Sequence, residues 1–320
     1  MTTRDPSAAT IVFMGSPEFA VASLHGLAAG RCHVAAVVTQ PDKPAGRGSR
    51  LQPPPVKLAA QELGVPVIQP ATLRDPAAQA SLAAFSPDLL VVAAYGQILP
   101  QAVLDLAPRG AINVHASLLP RWRGASPISA AILAGDEETG VTIMQLVRKM
   151  DAGPVIEQSA TKIADGETAG ELEARLAQLG AATLVDTLPA FLAREIEPVP
   201  QDEARVTYCG LIKKDDGRLR AAYSVVEAER VVRAYNPWPG ASVQYRDARL
   251  AIWLAHIVDL EDDAGPEPGS LSVHDGEPAV AFDGGLLVLD EVQRSGSRRV
   301  TGRDFLNGER GALPPAVGLL

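Results

Sequence analysis

Short, uninterrupted apolar runs alternate with helix-patterned stretches through the first half of the chain, and few architectures accept that alternation. The run from Ala9 to Met14 leads into the turn Gly15-Ser16-Pro17. Glu18 to Ala29 follows with helical spacing, Phe19, Leu24 and Leu27 being its apolar positions. His33 to Val38, Leu89 to Ala93, Ile112 to Val114 and Val141 to Leu146 repeat the strand pattern, and Ala169 to Leu192 is the longest helical one. A strand that is apolar throughout must be covered on both faces, which is the condition of a parallel sheet layered between helices. The expectation is an α/β domain over residues 1–193 with a Rossmann-like, mostly parallel sheet.

The pattern breaks at residues 194–206, where Pro198, Pro200 and several charges interrupt the periodicity, as a linker does. Beyond it, one helix is expected from Ser224 to Tyr235, followed by the rigid turn Asn236-Pro237-Trp238-Pro239-Gly240. Short β-rich segments come next, around Ser242 to Tyr245, Leu250 to Val258, Ala279 to Phe282 and Leu286 to Val292. Many short strands with one or two helices predict a smaller barrel-like, OB-like β-rich domain over residues 207–320. A chain of 320 residues accommodates two such domains.

Bulk properties narrow the setting. Hydrophobic residues make up 47% and charged residues 21%, ordinary for a soluble enzyme. The longest apolar run, Leu89 to Tyr95, is far short of the about 20 residues a membrane span needs. Met1 to Thr10 has no apolar core behind a basic patch, so no secretory signal is read there. Cys32 and Cys209, far apart and without metal-ligand spacing, are expected to be buried thiols in a reducing compartment. Together these point to a cytoplasmic protein without a membrane partner. A net charge of -9 weighs against a nucleic-acid partner, although a local basic patch on an acidic protein still serves.

Chemistry concentrates in a few places. The turn at Gly15 lacks the other two glycines of a dinucleotide fingerprint, with Pro17 in the place of one, so NAD is not expected. In Ala111-Ile112-Asn113-Val114-His115, the strand alternation projects Asn113 and His115 to the same side. The carboxyl end of a parallel strand is where ligands bind in such folds. An amide donates to a carbonyl oxygen that is gaining charge, and an imidazole is suited to moving a proton near neutral pH. In isolation such a pair is more often a capping Asn and a core-edge His. Asp151, in Lys149-Met150-Asp151-Ala152-Gly153-Pro154, is a third candidate, though an Asp before a Gly ordinarily starts a turn. The remaining histidines are scattered, and no metal cluster is visible.

Read together, these stretches resemble the folate-dependent formyltransferases. Asn113-Val114-His115-Ala116-Ser117-Leu118-Leu119-Pro120-Arg121-Trp122-Arg123-Gly124-Ala125-Ser126-Pro127-Ile128 is similar to the core motif of that family, and Met150-Asp151-Ala152-Gly153 to the context of its essential Asp. The opening Phe13-Met14-Gly15-Ser16-Pro17-Glu18-Phe19-Ala20, the loop Thr39-Gln40-Pro41-Asp42-Lys43-Pro44-Ala45-Gly46-Arg47-Gly48 and the turn Asn236–Gly240 resemble the members acting on charged initiator tRNA. The departures are small. Ser16 stands where Thr is usual, Ala116 where Gly is common, and Asp216 to Ser224 lacks a Trp often found there.

The resemblance implies transfer of the formyl group of 10-formyltetrahydrofolate to the α-amino group of methionine on initiator tRNA, with no metal. It implies Asn113, His115 and Asp151 as the catalytic set. Ser117, Leu118, Leu119 and Pro120, with Tyr95 and Gln97, are the implied folate wall. The loop Pro41 to Pro55, carrying Lys43, Arg47 and Arg50 against the single acid Asp42, is read as a tRNA clamp. A monomer is expected. Rival readings keep the chemistry and change the acceptor to a sugar nucleotide or glycinamide ribotide, or make the chain a formyl-folate hydrolase. A further rival is a catalytically silent RNA-binding module, which the intact Asn113, His115 and Asp151 set disfavours.

Overall fold

The structure, a computed structural model, describes residues 9–30, 32–45, 50–260, 266–309 and 313–320. Up to residue 209 its elements are β1 (Thr10–Gly15), α1 (Glu18–Ala29), β2 (His33–Val38), β3 (Lys43–Ala45), β4 (Arg50–Gln52), α2 (Pro55–Glu62), β5 (Val67–Ile68), α3 (Pro76–Ala83), β6 (Leu89–Ala93), α4 (Gln101–Leu104), β7 (Ala111–His115), β8 (Arg123–Gly124), α5 (Pro127–Ala134), β9 (Glu138–Gln145), β10 (Val155–Lys162), α6 (Ala169–Ala193) and β11 (Tyr208–Cys209). After them come α7 (Val225–Ala234), β12 (Ala241–Tyr245), β13 (Ala248–Asp259), β14 (Leu271–His274), β15 (Glu277–Phe282), β16 (Gly285–Arg294), β17 (Val300–Thr301) and α8 (Gly302–Asn307). They form two compact units. One comprises Met1–Pro127, Glu138–Lys162 and Glu173–Cys209, and the other Ile128–Glu137, Ile163–Leu172 and Gly210–Leu320.

The first unit is built on a seven-stranded sheet in the order β10-β9-β7-β6-β1-β2-β5. Its strands β5, β2, β1, β6 and β7 are parallel, while β9 and β10 are antiparallel. β1, β6 and β7 are buried along nearly their whole length, as the continuous apolar runs require. The chain lays β2 and β5 on one side of β1, then crosses to lay β6 and β7 on the other. The order therefore reverses beside β1, and ligand crevices form outside the carboxyl ends of strands at such a point.

α6 covers one face of this sheet through its buried Leu176, Ala177, Leu184 and Leu188. Gly180 is where helix and strand close on each other, since a Cβ there would sit 2.8 Å from Cγ1 of Val114. Val114 thus points to α6, and strand alternation turns Asn113 and His115 to the opposite face. α6 is long and apolar enough to cross a membrane, and 56% of its apolar window is buried within this fold.

The second unit carries an antiparallel sheet in the order β12-β13-β16-β15-β14, with β17 added beside β16. Its two outer strands are bridged by the end of the chain. Gly318 pairs with Gln244 of β12, and Ala316 pairs with Ser270 just before β14. The tail supplies the backbone partners that open edges lack, which makes the sheet barrel-like. α7 begins with a full capping box, Ser224 with Glu227, and packs Val225, Val231 and Val232 into the core with Leu250, Ile252, Leu287 and Leu289.

Two observations revise or extend the sequence reading. Neither cysteine is fully buried: Cys32 and Cys209 are both half-buried free thiols. Residues 194–206, read as a linker, fall within the first unit, where Val199 bridges Val155 of β10.

Candidate active site

Ser16, at the end of β1, ties the carboxyl ends of the central strands together. Its Oγ donates to the Tyr95 carbonyl (3.2 Å) and accepts from Gln40 N (3.1 Å) and Thr39 Oγ1 (3.3 Å). Gln40 Nε2 donates to the same Tyr95 carbonyl at 3.2 Å. Tyr95 is buried with its hydroxyl unpartnered among the described residues, and desolvation pushes its pKa up to about 12. Gln97 bonds residues 71–73, donating to the Ala71 carbonyl (3.3 Å) and accepting from Leu73 N (3.3 Å).

Asn113 and His115 lie on β7 as the alternation requires, and are only 9% and 6% exposed. Among the described residues no protein group bonds the Asn113 side chain, which leaves its amide free to donate. His115 is fixed by one strong contact, Nε2 to the Trp122 carbonyl at 3.0 Å. A carbonyl only accepts, so Nε2 carries the proton in that bond, and Nδ1 is the nitrogen left for chemistry. Nδ1 faces Asp151 Oδ1 at 4.0 Å, too far for a direct hydrogen bond.

Asp151 itself is held tightly. Its Oδ2 accepts from Gly124 N at 2.8 Å, and its carbonyl accepts from Gln201 Nε2 at 2.8 Å. Its backbone is left-handed, φ +47°, which costs a residue with a Cβ about 1–2 kcal/mol. The loop also depends on Gly153, because a Cβ there would lie 1.8 Å from the Gln145 carbonyl oxygen. His115 and Asp151 thus face each other, and Asn113 lies two residues before His115 on the same face of β7. The contributions of Trp122, Gly124 and Gln201 left no readable mark in the sequence.

The stretch Ser117–Pro120 runs on from β7 and is fastened to β9 and β10. Thr142 Oγ1 donates to the Ser117 carbonyl (2.6 Å) and accepts from Leu119 N (3.1 Å). Gln158 Nε2 donates to both the Leu119 carbonyl (2.9 Å) and Thr142 Oγ1 (2.8 Å). Ser117 Oγ turns inward to the Arg121 carbonyl at 2.6 Å. Each engaged carbonyl keeps a second lone pair, so the stretch is fixed while its carbonyls can still accept a further hydrogen bond.

Of the basic loop, Arg47 lies outside the described residues, and for Arg50 only the backbone is described. Lys43 is exposed on β3, which pairs with β4 as a short antiparallel ribbon. Asp42, the one acid of this segment, is bound at 2.8 Å by Lys57. Hydrogen bonds from Gln69 and then Lys57 hold its carboxyl below the usual carboxylate range. Asp42 therefore does little to offset the positive charge of the loop.

Residues 9–188 match the formyl transferase family, and residues 211–310 match the formyl transferase C-terminal domain. The methionyl-tRNA formyltransferase of Roseiflexus sp. (strain RS-1) is 49% identical over 301 residues, spanning 94% of this chain and 92% of its own. That of Methylococcus capsulatus is 47% identical over 297 residues, spanning 93% and 96%. The chain belongs to the methionyl-tRNA formyltransferase family. Among solved structures, a sugar 3N-formyl transferase, WlaRD, crystallised with dTDP and 5-N-formyl-THF, superposes with a TM-score of 0.65. It covers 91% of this chain and 99% of its own at 14% identity, a likeness of fold. A sugar formyltransferase thus shares this architecture, so the acceptor is decided by the sequence relatives and not by the fold.

Proposed function

We propose that the enzyme moves the formyl group of 10-formyltetrahydrofolate to the α-amino group of methionine esterified to initiator tRNA, using Asn113, His115 and Asp151. The observation that carries this reading is the pairing of a proton-fixed imidazole with a largely buried carboxylate 4.0 Å away. α-Amino groups titrate near about 7.7–8.0, so a useful fraction of the acceptor is neutral without a strong base. The amine attacks the formyl carbon and a new C–N bond forms. The formyl oxygen becomes negative and accepts from the Asn113 amide. The amine's proton passes to Asp151 or to His115 Nδ1, and departing N10 takes a proton as its bond to the formyl carbon breaks. The 4.0 Å between Nδ1 and Oδ1 means that a proton crosses through the amine or a water.

Ser117–Pro120, Leu118 and Leu119 by apolar contact, would line the folate pocket, with Tyr95 and Gln97 beside it. Lys43, Arg47 and Arg50 would meet tRNA phosphates from the loop. The domain at residues 207–320 would bind tRNA too, through exposed Lys213, Lys214, Arg218 and Arg220. The enzyme would act as a cytoplasmic monomer. Mass spectrometry of aminoacylated initiator tRNA, after incubation with formyl-folate and enzyme, tests the reading. N-formylmethionine on the tRNA is expected, and unchanged methionine beside consumed folate would transfer the function to a rival acceptor or to water.

A further inference from the structure

We propose that Gln201, oriented by the buried Arg123, is a positioning residue that holds Asp151 in its working geometry. The inference rests on the reading of Asp151 as part of the reacting site. Asp151 sits in a left-handed turn that a β-carbon disfavours, so something must hold it there. The Gln201 amide does so from two sides, with Nε2 donating to the carbonyls of both Asp151 and Gly153 at 2.8 Å. One amide thereby spans the turn that presents the carboxylate to His115.

The orientation of that amide is dictated from behind. Arg123 Nε donates to Gln201 Oε1 at 2.9 Å, and a guanidinium has no acceptor, so the oxygen must face Arg123 and the nitrogen must face the turn. Arg123 is fully buried, placed by the pairing of β8 with β11, and its Nη2 donates to Glu203 at 2.9 Å. Lys149, two residues before Asp151, binds the other oxygen of Glu203 at 3.0 Å. The result is a closed chain, from Asp151 through Gln201, Arg123, Glu203 and Lys149 back to the same turn. The neighbour of Arg123, Gly124, supplies the N–H that fixes the Asp151 carboxylate. Arg123 thus supports both ends of Asp151, the backbone through Gln201 and the side chain through its own strand.

A plain structural tie and a positioning role differ in what they move, so the test measures turnover, affinity and coupling separately. Gln201→Glu keeps the volume and the contact with Arg123 while replacing the two N–H donors with an acceptor. It should lower the melting temperature modestly, because two carbonyls lose their donors, and leave the KM for both substrates close to wild type. The kcat should fall roughly ten- to a hundredfold, the loss typical of a small misplacement of a reacting group. In an Asp151→Ala background the same substitution should produce no further loss. Gln201→Asn, read in the same way, serves if Gln201→Glu does not fold. A normal kcat in the folded Gln201 variant, or an equal fall with and without Asp151, overturns the inference. If Asp151→Ala alone turns over normally, the reading of the site itself fails, a result distinguishable from failure of Gln201 alone.

Discussion

Asn113→Ala isolates the amide at the reacting centre. The side chain is 9% exposed and, among the described residues, donates to no protein group. Its loss therefore breaks no hydrogen bond to a described residue, and stability should drop by only about 1 kcal/mol, the ordinary cost of a substitution. The transition state loses a donor aimed at the developing oxyanion, which costs about 10²–10³ in kcat, or about 2.7–4 kcal/mol. Asn113→Asp keeps the shape but cannot donate, and should be at least as slow. The assay is formyl transfer at saturating folate and tRNA beside a melting curve of each variant. A loss in kcat with KM for folate unchanged is expected, because the interaction forms only in the transition state. A folded Asn113→Ala enzyme within about threefold of wild-type kcat, or a defect confined to KM, would refute the reasoning.

Burial raises the Tyr95 pKa to about 12, above its unfolded value near 10, so the fold favours the protonated phenol. That stability is fully present below about pH 10 and is lost as pH rises through about 12. Tyr95→Phe should leave the melting temperature at pH 7 unchanged or higher, and blunt the alkaline loss in a melting series from pH 9 to 12; an unaltered alkaline profile would contradict this. Gly153→Ala forces a Cβ into the Gln145 carbonyl, and overpacking of this kind costs about 1–3 kcal/mol or more. It should lower both the melting temperature and turnover, and a variant fully active and stable would show that the turn relaxes freely. Arg47→Ala with Arg50→Ala should weaken tRNA use and flatten its dependence on salt, roughly by one unit of log slope for each phosphate the loop no longer binds, with folate affinity unchanged. An unaltered salt slope would make the loop a bystander.

The parts of the fold that the sequence disclosed are those whose residues face one environment along their length. β1, β6 and β7 are buried on both faces, so their composition alone betrays them. α7 is legible because Ser224 to Tyr235 alternates with helical spacing. The mixed segments were not legible. β10 is buried at Ile156 and exposed at Glu157, Gln158 and Ala160, so it carries no run, and α2 starts at Pro55, the end of the basic loop, in a stretch to which the sequence reading assigns no element. At the site, Asn113, His115 and Asp151 stood out through the long stretches around them that resemble the family, since each taken alone is more often a cap, a core-edge imidazole or a turn residue. The Trp122 carbonyl and the Gly124 N–H did not stand out, because any residue supplies a carbonyl and most supply an N–H. Gln201 was missed for a different reason. Prolines and charges around it signal a linker, and only tertiary pairing with Arg123 gives its amide a direction.

The most direct test of the account is single-turnover formyl transfer from 10-formyltetrahydrofolate to methionyl initiator tRNA, comparing wild-type enzyme with folded His115→Ala and Asp151→Ala variants. The account predicts N-formylmethionine on the tRNA with wild type, and rates about 10²–10⁴ lower in each variant with folate still bound. Formylation at wild-type rates by both variants would contradict it.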